Sequence, residues 1–195
     1  SLDYLIKDIR MLQPIKSSTL LLLITFLTSS TLADSFSLSS TDLSHGQFMK
    51  KAQEFQGFGC NGGNLSPQLS WDGVPEGTQA FAVTAYDPDA PTGSGWWHWQ
   101  LVNIPANITT LPTGAGDSSK NLAPKGSMQM RNDYGIHGFG GACPPEGHGA
   151  HRYQFTVHAL SQKLDLPENA SGALTGYMIN ANSLGSHTLE ALYKR

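Results

Sequence analysis

The sequence has 195 residues, a formal net charge of −3 and only 14% charged side chains, while it contains 21 glycines and 11 prolines. This length suits a single domain with a core of its own. Few charges and many turn-forming residues argue against a helical bundle and favour a turn-rich β protein. The weakly acidic balance also argues against general binding of nucleic acid or of an anionic membrane.

An apolar run near the N-terminus, Leu20–Leu27, predicts a secretory signal peptide. The run is shorter than the roughly 20 residues that a membrane-spanning helix needs, and Lys16 precedes it. Small residues follow and end at Ala33, which is typical of a signal-peptide cleavage site. We therefore expect residues 1–33 to be an upstream extension plus a signal peptide, residues 34–195 to form one domain, and the mature chain to be periplasmic.

The part of the chain after the expected cleavage site carries 9 basic and 13 acidic side chains, a net charge of −4. It holds no further apolar run of membrane-spanning length, so we expect no transmembrane segment there. Its two cysteines, Cys60 and Cys143, both lie in glycine-rich surroundings. In an exported protein one disulfide is the simplest interpretation, with two free or metal-binding thiols as the alternative.

The first clear elements follow an ambiguous lead-in over residues 34–58. Gly59–Pro67, with three glycines and two asparagines, is typical of a structured loop. Three later runs are rich in β-branched or aromatic residues, which predicts strands. These strands are Ala80–Tyr86, Trp97–Ile104 and Tyr153–Leu160.

Two further predictions rest on the length of one segment and on the residue spacing in another. Pro105–His151 is a glycine-rich stretch of about 47 residues, too long for an idle connection in a compact domain, so we expect it to be functional. Ser171–Asn182 predicts a short helix with its first residue as the N-cap and with Leu174, Tyr177 and Met178 on one face.

The strongest chemical motif is the turn Asp87–Pro91, in which two prolines fix the backbone and hold two carboxylates in place. An acidic turn that only ends the strand is the alternative. In the third strand, side-chain alternation puts His151 and Tyr153 on one face and Arg152 on the other. His98 lies among three tryptophans at positions 96, 97 and 99.

The remaining histidines have no such context. A structural role is the simplest interpretation for four of them, and the role of His148, in the glycine-rich approach to the third strand, stays open. The four are His45, His137, His158 and His187.

Four motifs in a fixed order carry a resemblance to a known family. They are Asn64–Pro67, the turn Asp87–Pro91, Trp96–His98 and Gly149–Tyr153. Together they resemble the phosphatidylethanolamine-binding protein family, also called Raf kinase inhibitor proteins, over the whole of residues 34–195. The signal peptide and the two cysteines resemble the exported bacterial branch of that family.

The resemblance implies a mainly β fold of two antiparallel sheets with Greek-key connections and a few short peripheral helices. It also implies a small anion pocket for phosphate-like groups, phospholipid head groups and phosphorylated side chains, with no cofactor. Cys143 would anchor the pocket's rim to Cys60. Carried over residue by residue, the pocket would consist of Asp87, Trp96, His98, Pro144, Pro145, His151 and Tyr153.

The function expected from these residues is periplasmic binding of a small phosphorylated or lipid-derived anion, without catalysis. Two imidazoles and a phenol can donate hydrogen bonds to an oxyanion, so we expect binding to strengthen as the histidines take up protons. Trp97, where some eukaryotic family members have a second histidine, makes the mouth more apolar. No activated nucleophile is apparent, because Ser94 lacks the Gly-x-Ser-x-Gly spacing.

Two other functions stay open. One is an inhibitor or regulator of a partner protein, such as an exported protease or a host factor, as the second name of the family suggests. The other, less favoured, is a metal-assisted hydrolase built on Asp87, Asp89, His98 and His151. These residue types can hold zinc or manganese, but their spacing fixes no ligand geometry.

Overall fold

The computed structural model describes residues 35–195, and the expected signal segment lies outside the described residues. This part of the chain is mainly β, with one α-helix, α1 (Gly172–Asn182), and a short 3₁₀ helix, Lys51–Gln53. The strands are β1 (Ser37–Ser39), β2 (Gln56–Gly57), β3 (Cys60–Asn61), β4 (Leu69–Asp72), β5 (Ala80–Asp87), β6 (Trp96–Pro105), β7 (Thr110–Leu111), β8 (Met128–Gln129), β9 (His151–Leu160) and β10 (Ser183–Tyr193).

These strands form three sheets whose pairings are all antiparallel. A five-stranded sheet in the order β10-β9-β5-β6-β8 lies at the centre, and β1, β4 and β7 form a smaller one. The mainly β prediction is confirmed. A third sheet, the two-stranded pair β2-β3, adds to the two that were expected.

All three predicted strands are confirmed, as β5, β6 and β9, and each is one or two residues longer than predicted. The added residues include Asp87, Trp96 and His151, which therefore sit at strand ends. Strand β10 was not predicted, although it pairs with β9 along its whole length. Its first half, with Gly185 and several polar residues, lacks the alternation that marks a strand in sequence, and it lies at the sheet's edge.

The central sheet is buried on both faces. On one face, Phe81 and Phe155 pack against Trp71 of the smaller sheet in the main core. On the other face, Val102 packs with Ile179 of α1 in a second cluster. Burial on both faces explains why β5 reads as an almost unbroken apolar run rather than as an alternating one.

Helix α1 begins as predicted, because the Ser171 hydroxyl accepts a hydrogen bond from the Leu174 backbone N–H at 3.1 Å. The face that packs is different from the expected one. Leu174 and Tyr177 are exposed, whereas Thr175 and Ile179 are buried.

Trp97 accounts for this orientation of the helix. A Cβ placed on Gly172 would lie 2.5 Å from the Trp97 ring, and one on Gly176 would lie 3.3 Å from it. The indole therefore fills a notch that two glycines, one helical turn apart, leave open. Close backbone approach to a tryptophan, rather than the apolar stripe of the helix itself, decides which face turns inward. None of the helices within residues 35–195 is long and apolar enough to cross a membrane.

A disulfide joins Cys60 of β3 to Cys143, with 6.0 Å between their Cα atoms and a sequence separation of 83. The pairing confirms the simplest interpretation of the two cysteines. It ties the loop around β3 to the segment that leads into β9.

We predict that the double variant Cys60→Ser, Cys143→Ser unfolds at a lower urea concentration than the oxidised parent. The cross-link restricts the unfolded chain, which in the chain-entropy model is worth about 4–5 kcal/mol for a loop of this length. The measurement is the free energy of unfolding by urea titration, with the reduced parent protein as the matched control. Equal unfolding free energies for the variant and the oxidised parent would contradict the prediction.

Candidate functional site

The strands β5, β6 and β9 each have a terminus at the same end of the central sheet, and polar and aromatic side chains lie close together there. Asp87 is the last residue of β5 and pairs with Trp96, the first residue of β6. His151 is the first residue of β9, which runs antiparallel to β5 on its other side. Antiparallel pairing therefore brings the acidic turn, the tryptophan and the histidine together, although residues 106–150 separate β6 from β9 in sequence.

His98 of β6 lies near the same end of the sheet, at a β-bulge. Ala85 pairs with Trp99 and Tyr86 pairs with Trp97, so His98 has no partner on β5. Bulges re-aim side chains, and here Trp97 and Trp99 come to lie on opposite faces instead of the same one. Trp99 is in the main core, where its Nε1 donates to Gln129 at 2.7 Å. Strict alternation of side chains places both tryptophans on one face, so the sequence pattern could not have revealed that they lie on opposite faces.

These strand ends border a cavity of about 220 Å³, named here the end pocket. All seven residues expected from the resemblance line it. The lining residues are Phe58, Asp87, Ala90, Pro91, Thr92, Trp96, His98, Tyr134, Cys143, Pro144, Pro145, His151 and Tyr153.

A chain of hydrogen bonds runs from the strand end to the surface. His151 Nδ1 lies 2.7 Å from Asp87 Oδ2, and both side chains are buried. His151 Nε2 lies 2.7 Å from Nδ1 of His148, which is exposed. The other oxygen of Asp87, Oδ1, accepts from the Asp89 backbone N–H at 2.8 Å. Both carboxylate oxygens and both nitrogens of His151 are thus already engaged.

Asp89 faces away from these groups and fixes the turn from outside. Its two oxygens accept hydrogen bonds from Arg152 Nε at 2.9 Å and Nη2 at 2.8 Å. This bond to the guanidinium lowers the pKa of Asp89 to about 2. The alternation predicted for β9 is confirmed, because His151 and Tyr153 are buried beside the pocket while Arg152 is exposed.

His98 is held by two backbone carbonyls. Its Nδ1 lies 2.7 Å from Gly140 O and 3.1 Å from Gly141 O, and since a carbonyl can only accept, Nδ1 carries the proton. Burial disfavours the charged ring and lowers the pKa of His98, against the opposing effect of these carbonyls. The neutral ring then has a lone pair on Nε2, which makes no hydrogen bond with residues 35–195.

The carbonyls come this close because the loop has no side chains there. A Cβ on Gly141 would lie 2.3 Å from Gln53 O, and one on Gly140 would lie 2.3 Å from the Tyr134 ring. Asn64 supports the same loop, since its Oδ1 accepts from Gly141 N–H at 2.7 Å. The motif that begins at Asn64 therefore acts on the pocket indirectly, through the loop that holds His98.

Two hydrogen-bond donors on the pocket wall are buried without a partner at ordinary hydrogen-bond distance in the described part of the chain. They are the hydroxyl of Tyr153 and the indole N–H of Trp96. Burial raises the pKa of Tyr153, and the nearby Asp87 carboxylate raises it further, both by its charge and as a more distant acceptor for the hydroxyl, so the phenol keeps its proton. Unpaired buried donors are uncommon in folded proteins, and each is costly to leave unsatisfied.

Sequence patterns did not assign four other residues around the pocket. His148, Phe58 and Tyr134 come from loops without a regular period, so only the folded chain brings them there. Arg195 holds the rim, because its Nε donates to Pro144 O at 2.8 Å and its Nη1 to Gly59 O at 3.0 Å.

The four histidines interpreted as structural make their hydrogen bonds elsewhere. None of them lines the end pocket. Their partners are Glu190 N–H for His45, Gln129 O for His137, Thr84 Oγ1 for His158 and Leu38 N–H for His187.

Comparison with known proteins shows the family of the chain. The family model described as phosphatidylethanolamine-binding protein matches residues 39–194. The chain belongs to this family. Proteins of this family are generally non-catalytic binding proteins. Family membership also indicates that the ligand is small.

Similar relatives occur in Escherichia coli K12. YbcL is 52% identical over 178 residues, which cover 91% of this chain and 96% of YbcL. YbhB is 49% identical over 157 residues, which cover 80% of this chain and 98% of YbhB. Both relatives are thus matched over nearly their whole length.

Solved structures of family members show the same architecture. The crystal structure of E. coli YbcL superposes with a TM-score of 0.80 at 53% identity, over 82% of this chain and 98% of that one. The homologue CT736 of Chlamydia trachomatis gives a TM-score of 0.68 at 25% identity, over 82% of this chain and 97% of that one.

We predict that His98 titrates below the ordinary histidine range and is neutral, with its proton on Nδ1, at neutral pH. Its ring is buried and its Nδ1 is committed to two carbonyls. The measurement is an NMR titration of the imidazole ¹⁵N and ¹H signals, with the urea-unfolded protein as the reference. A pKa above 6.5 for His98, or a proton on Nε2 of the neutral ring, would contradict the prediction.

Proposed function

We propose that this chain is a periplasmic binding protein that holds a phosphate-like anion in the end pocket without catalysis. The observation that carries the proposal is the pair of buried, unpartnered donors, Tyr153 O–H and Trp96 Nε1–H, on the wall of one cavity. A bound oxyanion offers several acceptor oxygens, which are the partners that both donors lack.

The arrangement of Asp87 supports an anion despite its own carboxylate. Oδ1 and Oδ2 already accept from Asp89 N–H and from His151 Nδ1. Part of the charge is therefore compensated within the protein, and the carboxylate serves to orient His151. The fully engaged His151 has no free N–H for a ligand, so the first donors are Tyr153 and Trp96 rather than the two imidazoles.

His98 makes the site depend on pH. In its neutral form the only nitrogen left for a ligand, Nε2, is an acceptor and disfavours an anion. Protonation of Nε2 turns it into a charged donor, and the bound anion in turn stabilises the charged ring. Because burial lowers the pKa of His98, this gain appears only as the pH falls below the ordinary histidine value of about 6.5.

Export is supported by the disulfide between Cys60 and Cys143, because such cross-links persist in oxidising compartments.

We predict that the affinity for inorganic phosphate rises about tenfold or more between pH 7.5 and about pH 5, the size of one charge-assisted hydrogen bond. Calorimetric titration measures it. Sulfate is the control for protonation of the ligand itself, because its charge does not change between pH 5 and pH 7.5. Affinity for both anions that is constant, or that rises with pH, would contradict the prediction.

The companion variant Tyr153→Phe removes one buried donor and keeps the ring. We predict that it weakens phosphate binding by about tenfold or more, because a hydrogen bond to a charged acceptor is lost. Tyr86→Phe is the matched control, since the Tyr86 hydroxyl donates to Ser94 O outside the pocket lining. Equal losses in the two variants would show that the Tyr153 hydroxyl does not contact the anion.

A further inference from the structure

Phe58 presents an exposed aromatic ring at the end pocket. Its side chain is 73% exposed, and it lines the cavity together with the groups described above. Its φ is +51°, a left-handed conformation that costs energy for a bulky residue. An exposed phenylalanine in a strained backbone needs an explanation beyond folding.

The ring is held in place from several sides. It packs against Phe55 at a centroid distance of 6.0 Å and against Tyr134 at 5.5 Å. Phe55 and Tyr134 themselves stack at 3.9 Å with an interplanar angle of 11°. The backbone next to Phe58 is fixed by the disulfide at Cys60 and by the hydrogen bond from Arg195 to Gly59 O. Phe58 therefore extends a rigid aromatic stack out to the solvent.

The lining of the pocket combines polar groups with apolar surface. The side chains of Asp87, His98, His151 and Tyr153 and the indole N–H of Trp96 supply polar groups. Apolar surface comes from the Trp96 ring and from the lining residues Phe58, Ala90, Pro91, Pro144 and Pro145. A ligand with an anionic end and an apolar end matches this mixed lining better than a symmetrical anion does.

The size of the cavity supports the same conclusion. Its volume of about 220 Å³ equals the liquid-volume share of roughly seven water molecules. A phosphate group has five non-hydrogen atoms and leaves part of this space unfilled. Additional apolar atoms of a ligand would fill it and cover exposed aromatic surface.

We propose that Phe58 determines the specificity of the end pocket and that the pocket selects phosphate monoesters whose ester group is a flat apolar ring. The ring would pack against Phe58 while the phosphate meets the buried donors. This inference rests on the proposed anion binding and names the class of ligand that the site prefers.

The test compares inorganic phosphate, methyl phosphate and phenyl phosphate by calorimetric titration at about pH 5, where phosphate esters carry mostly a single charge. We expect the parent protein to bind phenyl phosphate three- to tenfold more tightly than methyl phosphate, roughly the contribution of one aromatic pair. Phe58→Ala should remove this difference, because phenyl phosphate then loses its aromatic partner while methyl phosphate has no ring to lose.

Phe48→Ala is the matched control, because Phe48 is also an exposed phenylalanine, 53% accessible, and does not line the pocket. It should keep the preference for phenyl phosphate. Equal binding of both esters by the parent protein, or a preference that survives in Phe58→Ala, would overturn the role of Phe58 and leave anion binding intact.

Two other outcomes are also decisive. Loss of all three ligands in Phe58→Ala would show that the residue supports the site and does not select among ligands, which overturns the inference. Failure of the parent protein to bind inorganic phosphate or either ester would instead overturn the proposed anion binding itself, and the ligand class with it.

Discussion

The hydrogen bond between Asp87 Oδ2 and His151 Nδ1 joins the end of the central strand β5 to the start of its neighbour β9 in the protein interior. Both side chains are almost completely buried, so each depends on the other, since a buried carboxylate or imidazole without a partner is costly. The bond fixes the end of β5 against the start of β9. The acidic turn, the pocket wall and the segment that approaches β9 all take their positions from this junction.

The surrounding contacts reinforce the junction on different sides. Arg152, next to His151 in sequence, binds Asp89 on the outside of the turn, and His148 meets His151 from the solvent side. The disulfide and Arg195 then hold the rim loops. Because the polar groups of the junction satisfy one another, the buried side-chain atoms left without a partner on the pocket wall are the Tyr153 hydroxyl and the Trp96 indole N–H, while neutral His98 leaves an acceptor on Nε2. A pocket that contains a carboxylate can in this way be receptive to an anion.

Much of this structure could be predicted where local patterns decide it. The apolar and aromatic runs predicted β5, β6 and β9, Ser171 predicted the start of α1, and the two cysteines predicted the disulfide. Alternation along β9 was enough to place His151 and Tyr153 on one side and Arg152 on the other. The resemblance predicted seven pocket residues, and all seven line one cavity.

The features that sequence could not supply depend on irregular geometry or on distant partners. No local signal marks the bulge at His98, which separates Trp97 from Trp99. The packing of α1 depends on a tryptophan from another strand, and β10 gains its order by pairing with β9 rather than from its own pattern. Loop residues such as Phe58 and His148 have no period, so their approach to the pocket follows only from the folded chain.

The most direct test of the account is a crystal structure of the protein with inorganic phosphate at about pH 5. The account predicts an anion in the end pocket within hydrogen-bond distance, roughly 3 Å, of Tyr153 Oη and Trp96 Nε1, with the bond between Asp87 and His151 intact. An end pocket that holds only water under these conditions, or an anion that binds after displacing Asp87 from His151, would contradict it.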